Sequence, residues 1–157
     1  MQANLVDILI ANRQLQTEEA FEAYVDALNA IRQAPKNPAL LPRLICAICD
    51  GEDYQAYWAL FHYVESFPRE DYVSALIQAT PHLAPDAQEW LRRMYLRVLN
   101  AEGYRASLKT RLREATPMQR SAVREILEQI PDYTGDDLRA SFAEKVAFVL
   151  SDNSPQS

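Results

Sequence analysis

Residues 54–67 read Tyr-Gln-Ala-Tyr-Trp-Ala-Leu-Phe-His-Tyr-Val-Glu-Ser-Phe, the most aromatic stretch of the chain. At helical spacing Tyr54, Tyr57, Trp58, Phe61 and Val64 make one face, and Ala56, Ala59, Leu60 and Tyr63 make a second. A helix apolar around most of its circumference belongs in the interior, with neighbours on more than one side. The other helices are therefore expected to pack around this one, which is read as running from about Glu52 to Ser66.

Towards the N-terminus, Leu5, Ile8 and Leu9 mark a helix over 4–15. Thr17-Glu18-Glu19 is a start signal, a hydroxyl cap followed by carboxylates at the positive helix end. The helix it opens carries Phe21, Val25, Leu28 and Ile31 and stops before Pro35. A further helix is expected from Asn37-Pro38, with Leu41, Leu44, Ile45 and Ile48 as its stripe and Asp50-Gly51 as its end.

Towards the C-terminus, Tyr72, Val73, Leu76 and Ile77 mark the next helix, and Pro81 to Pro85 reads as a connection. Trp90, Leu91, Met94, Tyr95, Val98 and Leu99 follow, then a short turn from Asn100 to Gly103. Thr116-Pro117-Met118-Gln119 is a capping box with proline at the first helical position. Pro131 to Gly135 reads as a turn, and Leu138, Phe142, Val146 and Val149 mark a last helix. The starts near 52, 68, 85, 102, 117 and 135 recur about every 17 residues, so helix pairs recur at roughly 34. The expected fold is all-α, with stacked antiparallel helical hairpins in a HEAT-like or irregular α-solenoid of about nine helices. A closed helical bundle is the competing architecture. One domain over 1–150 and a disordered tail over 151–157 complete the expectation.

Composition excludes several classes. No apolar run approaches the roughly 20 residues needed to span a bilayer. The N-terminus lacks a basic region followed by a small-residue cleavage site, which points to a cytoplasmic protein. Cys46 and Cys49 build no disulfide framework. Their C-x-x-C spacing falls in a helical run between Ile45 and Ile48, and neither His62 nor His82 stands at ligand spacing, so no metal or other cofactor is expected. The net charge of −6 is uneven: residues 1–91 carry 5 Lys/Arg against 13 Asp/Glu, and residues 92–126 carry 9 against 3. An acidic first half suits a basic protein partner. The basic block has arginine and lysine pairs four apart (Arg93/Arg97, Lys109/Arg113, Arg120/Arg124), but no interleaved aromatics to stack bases, which argues against nucleic acid. His62 and Glu65 share a helix face without a nucleophile, glycine-rich loop or second carboxylate, so they read as structural and no residue is named catalytic.

Two stretches carry a resemblance. Phe61-His62-Tyr63-Val64-Glu65-Ser66-Phe67 leads into Tyr72-Val73-Ser74-Ala75-Leu76, and Trp90 is followed by Met94-Tyr95-Leu96-Arg97-Val98-Leu99-Asn100. Over about residues 40–130 the chain resembles the immunity protein thirty family of bacterial polymorphic toxin systems. His62, Glu65, Phe67, Tyr72, Trp90, Arg97, Leu99 and Asn100 stand at the family's positions, with Val98 where isoleucine is frequent. The resemblance implies an all-α, non-enzymatic protein without a cofactor, which binds a cognate toxin domain as in toxin–antitoxin and contact-dependent inhibition systems. It implies scaffold roles for His62, Glu65, Trp90, Arg97 and Asn100. The expected mechanism is stoichiometric binding that occludes the toxin's active site or substrate entrance. Charge and position nominate Glu18, Glu19, Asp50, Glu52, Asp53, Glu70 and Asp71 as toxin contacts, with Tyr54 and Tyr57 as exposed aromatic anchors. The alternative is a helical-repeat adaptor whose protein partner is not a toxin.

Overall fold

A computed structural model describes residues 2–51 and 54–151, and of Tyr54 the backbone alone. Among these residues the chain is all-α: α1 (Gln2–Ala11), α2 (Glu18–Gln33), α3 (Leu41–Ile45), α4 (Tyr54–Glu65), α5 (Arg69–Leu83), α6 (Gln88–Asn100), α7 (Glu102–Glu114), α8 (Pro117–Thr134) and α9 (Asp136–Leu150). A single 3-10 turn, Pro38–Leu40, leads into α3. The chain divides into two compact units, Met1–Ala79 and Thr80–Ser157.

Local chemistry sets the helix starts. Thr17 accepts a hydrogen bond from the Ala20 amide at 3.0 Å and caps α2. Thr116 accepts from the Gln119 amide at 3.2 Å while Gln119 accepts from the Thr116 amide at 3.1 Å, which completes the capping box of α8. Gly135 alone joins α8 to α9, at φ 90°, a left-handed value that side chains with a Cβ adopt at a cost.

Several expected boundaries move. Pro81 and Pro131 lie inside α5 and α8 rather than in connections. Each is within the last turn of its helix, where the missing amide forfeits one bond and little helix follows to be kinked. The turn expected at Asn100 to Gly103 contracts to Ala101, because Gly103 is already helical. The helix expected to reach Asp50 ends at Ile45. Side chains from earlier in the chain take the carbonyls just past its end: Arg13, in the turn after α1, donates to Cys46 O at 3.2 Å and Tyr24 of α2 to Ala47 O at 2.8 Å. The C-x-x-C pair therefore lies in the turn after α3, with Cys46 half-buried and Cys49 buried.

In the first unit α1 packs on α2 and α3, and α4 packs on α2 and α3. Tyr57, Leu60, Phe61 and Val64 of α4 are buried. In the second unit α6 packs on α7 and α8, and α9 packs on α8 and α7. The hairpins α6–α7 and α8–α9 thus lie against each other, with α6 also touching α9, around Trp90, Met94, Tyr95, Leu108, Leu127, Ile130 and Phe142. The tail expectation for 151–157 falls outside the described residues except at Ser151, which accepts from Lys109 at 3.1 Å.

Candidate protein-binding surfaces

The charge of the chain resides in one unit. Residues 1–79 hold 5 Lys/Arg against 11 Asp/Glu, a net −6, and residues 80–157 hold 11 of each. Within the first unit the basic groups other than Arg32 are engaged locally, Arg13 with the Cys46 carbonyl. Arg43 pairs with Asp7, Arg69 pairs with Glu70 at 3.1 Å, and Lys36 donates to Ser66 O at 2.9 Å while lying over the Phe67 ring.

α2 presents what remains. Glu18, Glu22 and Asp26 recur every four residues and are exposed, with Glu19 beside them. No hydrogen bond or ion pair reaches these four carboxylates among the described residues. Glu18 and Glu19 at the first turn are favoured by the helix dipole. Glu22 and Asp26 gain little from it, and like charges at that spacing repel. The opposite face of α2 is apolar, with Tyr24, Ala27, Leu28 and Ile31 buried, so packing holds the row in place. The sequence analysis passed over Glu22 and Asp26. Their spacing from Glu18 on an amphipathic helix was the available signal.

The other nominated contacts are dispersed. Asp50 is exposed in the loop after α3, and Glu70 and Asp71 are partly exposed in the first turn of α5. Glu52, Asp53 and the side chain of Tyr54 lie outside the described residues. Tyr57 is not the exposed anchor expected of it. It is 1% exposed, edge-on to Tyr24, and its hydroxyl donates to the Arg13 carbonyl. The Cys49 thiol donates to the same carbonyl at 3.3 Å. A carbonyl left by the end of α1 thus gathers donors from two later segments, which is a core role.

The cysteines do not form a reactive pair. Burial pushes the Cys46 thiol above its ordinary value, although Arg13 and Arg43 pull it back, so the thiolate is disfavoured. Burial, with Tyr57 and Cys49 nearby, likewise raises Tyr24. Among the described residues no group of three or more His, Cys, Asp or Glu could hold a metal ion.

His62 is exposed and stacks on Trp58, with ring centroids 5.6 Å apart on the same helix. Trp90 is fully buried, and Arg93 lies 5.0 Å from its ring centroid. Arg97 is exposed, and Asn100, at the end of α6, accepts from Lys145 of α9 at 3.2 Å. In the basic stripes Arg93 pairs with Glu89 at 2.9 Å and Arg124 with Glu128 at 3.7 Å, while Lys109 and Arg120 donate to the Ser151 hydroxyl and the Arg113 carbonyl. Exposed pairs of this kind add little stability. No described helix is long and apolar enough to cross a membrane.

A family model described as Immunity protein 30 matches residues 11–108. It begins earlier than the stretch singled out from sequence, taking in α2, and stops within α7. No curated protein and no solved structure matches the chain.

Proposed function

We propose, because this chain belongs to the immunity protein 30 family, that it neutralises a cognate toxin domain by direct, stoichiometric binding that covers the toxin's active site or substrate entrance. The observation that carries the contact is the row of Glu18, Glu22 and Asp26 on α2, exposed and without an ion pair among the described residues. The row lies within the matched stretch. Like charges held together on one helix face repel, and a basic surface supplied from outside relieves that repulsion. A toxin that handles a polyanionic substrate through a basic cleft is the matching partner. Carboxylates at helical spacing steer its approach and occupy the cleft in place of phosphates. The chain supplies no chemistry of its own in this reading, and works in the cytoplasm of the cell it protects.

Co-expression with the cognate toxin domain tests this. The expected result is restored growth and a copurifying complex, with protection weakened when Glu18, Glu22 and Asp26 are reversed to lysine together. Growth arrest despite a soluble, folded chain contradicts the reading. Full protection by the triple variant removes α2 from the contact.

A further inference from the structure

One residue turns the chain between its last two helices. Gly135 alone separates α8, which ends at Thr134, from α9, which begins at Asp136, and it does so at φ 90°. Both flanks are already helical. Returning that one residue to helical dihedrals makes a single helix over 117–150, about 50 Å long. The two forms are close in backbone terms. A helix end leaves four carbonyls without amides, and a helix start leaves four amides without carbonyls. At this joint the Thr134 hydroxyl donates to the Pro131 carbonyl at 2.8 Å, and no side chain caps α9. A continuous helix pairs the two sets with each other. It gives up three small things: a glycine outside a helix interior, the place of Asp136 and Asp137 at a helix start, and the Arg139–Asp132 pair that spans the joint at 3.3 Å. Both side chains of that pair are more than half exposed, so it contributes little.

Opening the joint within one molecule is costly, because α9 is part of the core. Phe142, Val146 and Val149 are buried, and α9 packs on α8, α7 and α6. An open chain exposes that face of α9 and the face it covered. The surface that fits both is already encoded, since a second open copy carries the same two faces. Two of the exposed large apolar residues, Tyr133 and Leu138, stand within three residues of Gly135. That is where the joints of two exchanging copies come together, and a one-residue hinge leaves no slack to relieve.

We propose that the chain pairs with a second copy of itself by exchanging α9. Gly135 becomes helical, each α9 packs on α6, α7 and α8 of the other copy, and Tyr133 and Leu138 of the two copies meet beside the joints. Every buried contact is one that the monomer makes, and only the joint is new. The exchange involves the second unit alone and does not rest on the toxin reading.

The test uses the full chain, sized by light scattering. Wild type refolded from urea at about 1 mM should yield a dimer fraction. Gly135→Ala penalises the left-handed joint and favours the helical one, by about thirtyfold per chain, so it should tighten the dimer about a thousandfold. Inserting Gly-Ser-Gly-Ser after Gly135 lets the hairpin close on a relaxed loop and should leave only monomer. Spin labels carried by p-acetylphenylalanine at the exposed positions of Met118 and Ala147, with unlabelled chain in excess, read the distance within one chain. In the dimer it should be about 44 Å along the continuous helix, against less than about 25 Å in the monomer's hairpin. No wild-type dimer after refolding, a folded Gly135→Ala chain that stays monomeric, an intrachain distance unchanged in the dimer, or an insertion variant that dimerises as wild type does overturns the proposal. Should Gly135→Ala fail to fold, the wild-type dimer and its intrachain distance decide alone. Rescue of cells from the toxin is a separate readout, so the two readings fail separately.

Discussion

Glu22→Lys should make the protein more stable and a poorer partner at once. Glu22 stands four residues from both Glu18 and Asp26 on the exposed face of α2. Reversal removes two like-charge contacts and creates two opposite ones, each worth about 0.2–0.5 kcal/mol on a helix surface. The sum is about 1–2 kcal/mol of added stability, a rise in Tm of roughly 3–6 °C for a chain of this size. Binding moves the other way. A partner cation about 8 Å from this site interacts with one charge by about 0.5 kcal/mol in water. Reversing the sign costs about twice that, so association slows about sixfold at low salt, and the difference shrinks as salt screens it. Calorimetry gives the Tm, and stopped-flow mixing with the toxin at two ionic strengths gives the rates. A lower Tm, or an association rate that ignores the reversal at low salt, refutes the reasoning that α2 holds a repulsive row for an external basic surface.

Three further outcomes follow from the core. Tyr57→Phe should cost about 1–2 kcal/mol in urea unfolding, because the Arg13 carbonyl loses the phenol as a donor, yet it should leave toxin affinity unchanged. A large affinity loss without a stability loss would return Tyr57 to the contact surface. Tyr95 is fully buried against Thr80 at 2.6 Å, and burial raises it above its ordinary value of 10.0. The unfolded chain therefore ionises first. Stability is full below about pH 10 and falls as pH rises beyond it, and Tyr95→Phe should flatten that decline in urea midpoints taken from pH 8 to 11. Gly135→Ala should cost about 1–2 kcal/mol, since no neighbour lies within 4 Å of a new Cβ and only the left-handed φ opposes it. An unchanged urea midpoint would mean that the α8–α9 joint relaxes freely.

Much of the fold was legible because its signals are local. Thr17 and the Thr116/Gln119 box announce helix starts with side chains that reach only three residues. The burial of the 54–67 helix followed from its periodicity. The end of α3 was not legible, because it goes with Arg13 and Tyr24 reaching the Cys46 and Ala47 carbonyls from segments more than twenty residues earlier. Pro81 and Pro131 misled for a different reason: a proline within the last turn and one that starts a loop leave the same mark in sequence. The surface was less legible still. Tyr57 stands on the apolar face of the 54–67 periodicity, and its nomination as an exposed anchor went against that pattern. The α2 row could have been read from its four-residue spacing.

The most direct measurement is a titration of the toxin's own activity with purified chain. Stoichiometric occlusion predicts that activity falls linearly and reaches zero at one equivalent, with full activity recovered when the complex is dissociated. Inactivation by far less than one equivalent would mean that the chain acts as a catalyst. No inhibition at several equivalents would mean that it does not bind this toxin.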